Sequence, residues 1–163
     1  MQRISTFIKA IIFINCIALF SRCSFRSSVI PQNMPAGTEM TYDEAAEGNF
    51  PFHVIAIRND SLYYFEKHSR DDSSEIKWQV QLGKTEIENT YKVFYDNKFD
   101  LIKMDARMDF QEGAAAKDLS LRINGQTYFS SEGKNTPLSK TDSEKLKTIA
   151  DEIIELMKEK KRR

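Results

Sequence analysis

The chain has 163 residues, 40% hydrophobic and 29% charged, which is enough for one domain with its own core and too apolar for disorder along the whole length. Its 24 basic and 24 acidic side chains cancel, which argues against nucleic acid as a partner, because domains that grip that backbone carry a basic excess. Without residues 1–23, which hold Arg3, Lys9 and Arg22, 21 basic side chains face 24 acidic ones, and no cysteine remains for an intrachain disulfide.

Arg3 and Lys9 precede an uncharged run, Ala10 to Ser21, in the order of the n- and h-regions of a signal peptide. The run is short for a membrane span, which takes about 20 apolar residues, so export with cleavage or lipid attachment fits better. The ending Leu19-Phe20-Ser21-Arg22-Cys23-Ser24 resembles the lipobox of bacterial lipoproteins, where the cysteine becomes the first mature residue and carries the acyl chains. Arg22 stands where that pattern has a small residue. Asn15-Cys16 resembles the relaxed lipobox of spirochaete lipoproteins, and cutting there leaves Ile17 to Phe20 in the mature chain. Cys23 and Cys16 are therefore the two lipidation candidates. The resemblance implies a cell-envelope protein, anchored to a membrane and facing the periplasm or the exterior, with a secreted chain as the alternative. Arg22 and Arg26, just past the run, favour a third reading, an uncleaved anchor, because positive charge there resists translocation.

Residues 24–49 hold Pro31, Pro35, Gly37 and Gly48 and no sustained period, and read as a flexible linker of roughly 28 Å root-mean-square span. The domain is expected over 50–163. Phe50 to Arg58 and Leu62 to Lys67 flank Asn59-Asp60 and form a predicted hairpin; Ile76, Trp78, Val80 and Leu82 alternate with polar residues as a third strand. Thr85 to Tyr95 reads as a fourth, with Ile87, Tyr91, Val93 and Tyr95 on one parity. Strict alternation from Leu101 to Phe110 predicts a fifth, and Gln111 to Asp118 a loop. Asn124-Gly125 between Leu119 to Ile123 and Gln126 to Ser130 marks a type I′ hairpin, whose two central residues both need positive φ. Leu146, Ile149, Ala150, Ile153, Ile154 and Met157 recur at helical spacing within a closing helix of about 139–161, for which Thr141 and Glu144 offer a capping box.

Catalytic constellations are sparse. His53 and His68 lie in different elements, and His68 near Asp71 and Asp72 is a weak metal pattern that reads more simply as a solvated loop. Lys103, Asp105, Arg107 and Asp109 fit the wet face of a strand better than paired acid/base carboxylates. No nucleophile elbow, nucleotide loop or cofactor motif is present, so a non-enzymatic domain without a cofactor or bound metal is expected, with a secreted small-ligand carrier or enzyme using a pocket between sheet and helix as the alternative that the aromatic content suggests. Tyr63-Tyr64-Phe65 puts aromatics on both faces of one strand and is the candidate binding patch for a protein or small-molecule partner. The basic tail, Lys158 to Arg163, suits the negative end of a helix dipole and also an anionic lipid surface.

About seven strands and a closing helix resemble the pleckstrin homology-like plan: HVIAIRNDSLYYFE resembles its first strands and SEKLKTIADEIIEL its last helix. The resemblance implies a mainly β fold, an antiparallel meander forming a sandwich or partly open barrel closed by one helix. A lipocalin-like barrel is the alternative. The family's implied headgroup site would need a basic first loop, and Arg58-Asn59-Asp60-Ser61 lacks that cluster.

Overall fold

The computed structural model describes residues 27–46, 51–69, 75–103, 115–133 and 138–162. Six antiparallel strands form one open sheet in the order β4-β3-β2-β1-β5-β6. They are β1 (Glu39–Ala45), β2 (Phe52–Arg58), β3 (Ser61–Lys67), β4 (Glu75–Gln81), β5 (Ala116–Ile123) and β6 (Gln126–Gly133). Helix α1 (Lys84–Asp96) and a 3-10 helix (Phe99–Leu101) stand between β4 and β5, and α2 (Lys140–Lys161) closes the fold.

The hairpins form where the turn chemistry puts them. Asn59 and Asp60 have φ of 49° and 57°, and Asn124 and Gly125 have φ of 50° and 78°, the positive values that match a two-residue turn to the right-handed strand twist. Alternation then sorts the side chains. Met40, Tyr42, Ile55, Ile57, Leu62, Tyr64, Leu119, Leu121 and Ile123 are buried on one face, against which both helices pack. Leu146, Ile149, Ala150, Ile153 and Leu156 make the buried stripe of α2. Its N-cap is Ser139, whose side chain accepts from the Asp142 N–H at 3.1 Å, and not the Thr141/Glu144 box read from the sequence.

Four further expectations are corrected. Thr85 to Tyr95 is helical. Ile87, Thr90, Tyr91 and Phe94 are buried at i, i+3, i+4 and i+7, and Glu86 reaches back to accept from the Gly83 N–H at 2.8 Å, which satisfies one orphan donor of the first turn. Among the described residues six strands form one open sheet where a sandwich or partly open barrel of about seven was expected: 85–95 is lost to a helix, β1 is gained, and most of the run Leu101 to Phe110 lies outside the described residues. Residues 24–49 contain β1, a central strand paired with β2 on one side and β5 on the other. Before it, Ile30 is 4% exposed and belongs to the core, the Tyr91 hydroxyl donates to the Pro31 carbonyl at 2.6 Å, and Asp100 accepts from Ser28 Oγ at 2.6 Å and the Val29 N–H at 2.8 Å. The chain is thus fixed to the domain from Ser28 onward. Strand residues Ala116 to Asp118 also extend β5 into the expected loop. The alternating run beyond Lys103 and the two candidate cysteines lie outside the described residues.

Phe94 is fully buried and meets Phe99 edge-on at 5.0 Å, so it joins α1 to the 3-10 helix. Phe94→Ala is expected to cost about 3 to 5 kcal/mol of unfolding free energy. Lys92→Ala, on the exposed face of the same helix, should change stability by less than about 0.5 kcal/mol. Urea denaturation of both variants checks this, because a strand at 85–95 would put the two side chains in a different relation.

Candidate functional site: a sheet face, a carboxylate pair and a charged row

The strand pairing divides the predicted aromatic triplet. Tyr64 points to the helix face, where it is 7% exposed, stacks on Trp78 at 5.3 Å and lies under Lys161 at 5.8 Å. Tyr63 and Phe65 point to the opposite face, which no described element covers, and both are half-buried. Phe52 from β2 tilts against Phe65 at 5.3 Å, and Val54 and Ala56 fill the space between. Arg58 lies over the Tyr63 ring at 4.8 Å and Lys77 over the Phe65 ring at 5.1 Å. Gln79 donates to the Tyr63 hydroxyl at 3.3 Å. The result is a shallow cleft of about 600 Å³ lined by Thr41, Val54, Arg58, Tyr63, Phe65 and Lys77 among others. Its charged lining is wholly cationic. Lys77 is also paired with Glu75, whereas Arg58 has no ion-pair partner among the described residues.

One row of this face runs Lys77, Phe65, Val54, Asp43, Asp118, Ser131 across all six strands. Asp43 and Asp118 are direct cross-strand partners, and the Oδ1 atom of each is buried without a hydrogen-bond partner. Burial, and after it the charge of Asp118, pushes the Asp43 carboxyl up to about 6. Two like charges side by side in a sheet are destabilising when both are ionised.

The helix face carries a second row at one end of the strands: Ile76, Glu66, His53, Glu44, Lys117, Glu132. His53 Nε2 is 3.5 Å from Glu44 Oε2, and Lys117 Nζ is 3.4 Å from Glu44 Oε1. Tyr42 donates to Glu44 at 2.7 Å, Tyr64 donates to Glu66 at 2.8 Å, and Ser143 of α2 donates to Glu132. Burial alone would raise the Glu44 carboxyl, but the Tyr42 hydroxyl, Lys117 and His53 together hold it below the usual range. Burial, then the bonded carboxylates, push the Tyr42 and Tyr64 hydroxyls upward, so both stay protonated as donors. His53 and Glu44 have the reach of a base and its orienting carboxylate, yet no described hydroxyl or thiol hydrogen-bonds to His53. The row alternates carboxylates with His53 and Lys117 and closes the polar end of the core.

His68 meets Glu66 at 3.5 Å; Asp71 and Asp72, its sequence neighbours, lie outside the described residues. Among the described residues no group of three or more His, Cys, Asp or Glu side chains is placed to hold a metal ion. No described helix is long and apolar enough to cross a membrane. No protein-family model matches the chain, and no curated protein matches it. Sequence reading found Tyr63 and Phe65 but missed Phe52, Arg58, Lys77 and the Asp43–Asp118 pair, because the partners of each are set by strand register.

Two predictions follow from this geometry. A raised acid is a cost of folding that is absent below the unfolded value of 3.8, grows as pH rises toward about 6, and is complete above it. Asp43→Asn should therefore raise the melting temperature at pH 7.5 and leave it nearly unchanged at pH 4; equal effects at both pH values would contradict the shift. Tyr64→Ala should cost about 2 to 4 kcal/mol and Tyr63→Ala less than about 1.5, since only the first ring is part of the core. Chemical denaturation of the two variants distinguishes them.

Proposed function

We propose that this chain is an exported, non-enzymatic binding domain held at a membrane by its N-terminal segment. The carrying observation is the order of that segment: the cations Arg3 and Lys9, the apolar run Ala10 to Ser21, then Cys23. Such a protein belongs in the cell envelope, and a lipidated cysteine, Cys23 or Cys16, is its tether. The aromatic and cationic cleft of Tyr63, Phe65, Phe52, Arg58 and Lys77 supports a role in binding a protein or small molecule, since large rings beside cations on an uncovered face are the residue types that dominate recognition surfaces.

A second reading keeps the N-terminus uncut as an anchor, and Arg22 and Arg26 favour it. The module at its end would then play the membrane- or partner-binding part that the pleckstrin homology-like plan implies.

The test is the mass of the N-terminal peptide from protein made in a membrane background that processes lipoproteins. An acyl mass on Cys23 or Cys16 is the expected result. An unmodified Met1 in the membrane fraction transfers support to the uncut anchor. A chain found wholly in the soluble cytosolic fraction overturns both readings.

A further inference from the structure

The structure shortens the tether. The sequence suggests 26 residues of slack between Cys23 and the domain, but Asp100 captures Ser28 and Val29, Tyr91 captures Pro31, and Ile30 is in the core. From Cys23 to Ser28 there are five residues, which can span at most about 18 Å. If Cys16 carries the lipid, or the segment is an uncut anchor, the apolar run still ends at Phe20 or Ser21. Eight residues from Phe20 to Ser28 then reach at most about 29 Å. Every form of attachment leaves the Asp100 corner of the domain close to the headgroups.

That corner has a composition to match. Val29 is 65% exposed, the most exposed large apolar side chain among those described. Lys98 stands exposed at the start of the 3-10 helix that supplies Asp100, and exposed Lys103 follows that helix by two residues. Neither lysine has an ion-pair partner among the described residues, while Lys92, a turn back on α1, is paired with Asp96. In the tether itself Arg22 and Arg26 add two more cations. An exposed apolar side chain on the same corner as exposed lysines without ion-pair partners, with the nearby carboxylates engaged, Asp100 by Ser28 and the Val29 N–H and Asp96 by Lys92, is complementary to an anionic bilayer surface within a screening length of about 8 to 10 Å.

We infer that the corner formed by Val29, Lys98 and Lys103 rests on anionic lipid headgroups and so fixes how the tethered domain faces. This inference rests on the membrane-tethered reading. Tyr91, which holds Pro31, interacts with Tyr128 near the Gln126 end of β6. The row of Glu66, His53, Glu44, Lys117 and Glu132 lies four residues further along β6, about 14 Å, toward the end of the strands remote from this corner.

The experiment uses the full chain with its N-terminal segment, reconstituted in vesicles of phosphatidylethanolamine and phosphatidylglycerol, with and without brominated acyl chains. Trp78 is the single native tryptophan, and its indole N–H has no hydrogen-bond partner, so Trp78→Phe provides a silent background. Val29→Trp in that background reports the corner, and Thr141→Trp, exposed at the start of α2, reports the far end. Flotation with the vesicles reports the tether independently. The expected result is flotation of both variants, with brominated lipid quenching Val29→Trp at least threefold more than Thr141→Trp, and with that excess halved or lost when Lys98→Glu and Lys103→Glu are added. A chain that floats but shows equal quenching at both positions, or an excess that the charge reversals leave untouched, overturns the inference and leaves the tether standing. A chain that does not float overturns the tethered reading, and the inference with it.

Discussion

β1 is hydrogen-bonded along both edges, to β2 through a tight meander and to β5 across most of the chain. Every other described part of the fold depends on that double pairing. Take β1 away and β4-β3-β2 and β5-β6 share no strand, so the helix-facing residues of the two halves no longer form one apolar floor. The same strand creates the groupings of charge: Glu44 lies between His53 and Lys117 on one face, and Asp43 lies against Asp118 on the other. It holds them with only two large buried side chains of its own, Met40 and Tyr42.

That economy explains what was and was not legible. Both type I′ hairpins could be read because Asn and Gly tolerate positive φ and the flanking runs alternate. Helix α2 could be read because its stripe extends over 22 residues. β1 could not, since Glu39 to Ala45 has three carboxylates in seven residues and sits between Pro35, Gly37 and Gly48, which look like linker punctuation. What makes it a strand is two neighbours far away in the sequence. Helix α1 was misread for the opposite reason. Its Thr, Ile, Tyr, Val and Phe content favours strands locally, and Ile87, Tyr91, Val93 and Tyr95 happen to share parity. The tertiary fit of Ile87, Thr90, Tyr91 and Phe94 against the core overrides that preference. Of the candidate site, the orientation of the Tyr63-Tyr64-Phe65 triplet followed from alternation alone, whereas Phe52, Arg58 and Lys77 join it only through register.

The two faces of the sheet settle their polar groups differently. On the helix face the charged groups have counterparts, from the Glu44 row to Lys160, whose side chain is 7% exposed and whose ammonium closes on Glu86 to lock the end of α2 to the start of α1. The partners there are complementary, so the cost of burying them is offset. On the opposite face the cations sit over rings, and the two central carboxylates are direct cross-strand neighbours, each with one Oδ1 buried without a hydrogen-bond partner. Each face keeps two buried polar atoms without a hydrogen-bond partner, Trp78 Nε1 and Ser130 Oγ on the helix face and one Oδ1 each of Asp43 and Asp118 on the other, but only the helix face combines its polar row with a packed apolar core.

The register of β1 with β5 also has a kinetic meaning. Met40 pairs with Leu121 and Tyr42 with Leu119, roughly 80 residues away along the chain. The hairpins of β2, β3 and β4 can form as soon as they leave a ribosome or a translocation pore, but the inner edge of β1 stays unpaired until residues beyond Ala116 have followed. A chain emerging N-terminus first therefore exposes an open central strand for about half of its passage, and its sheet is completed late, by the arrival of a distant hairpin.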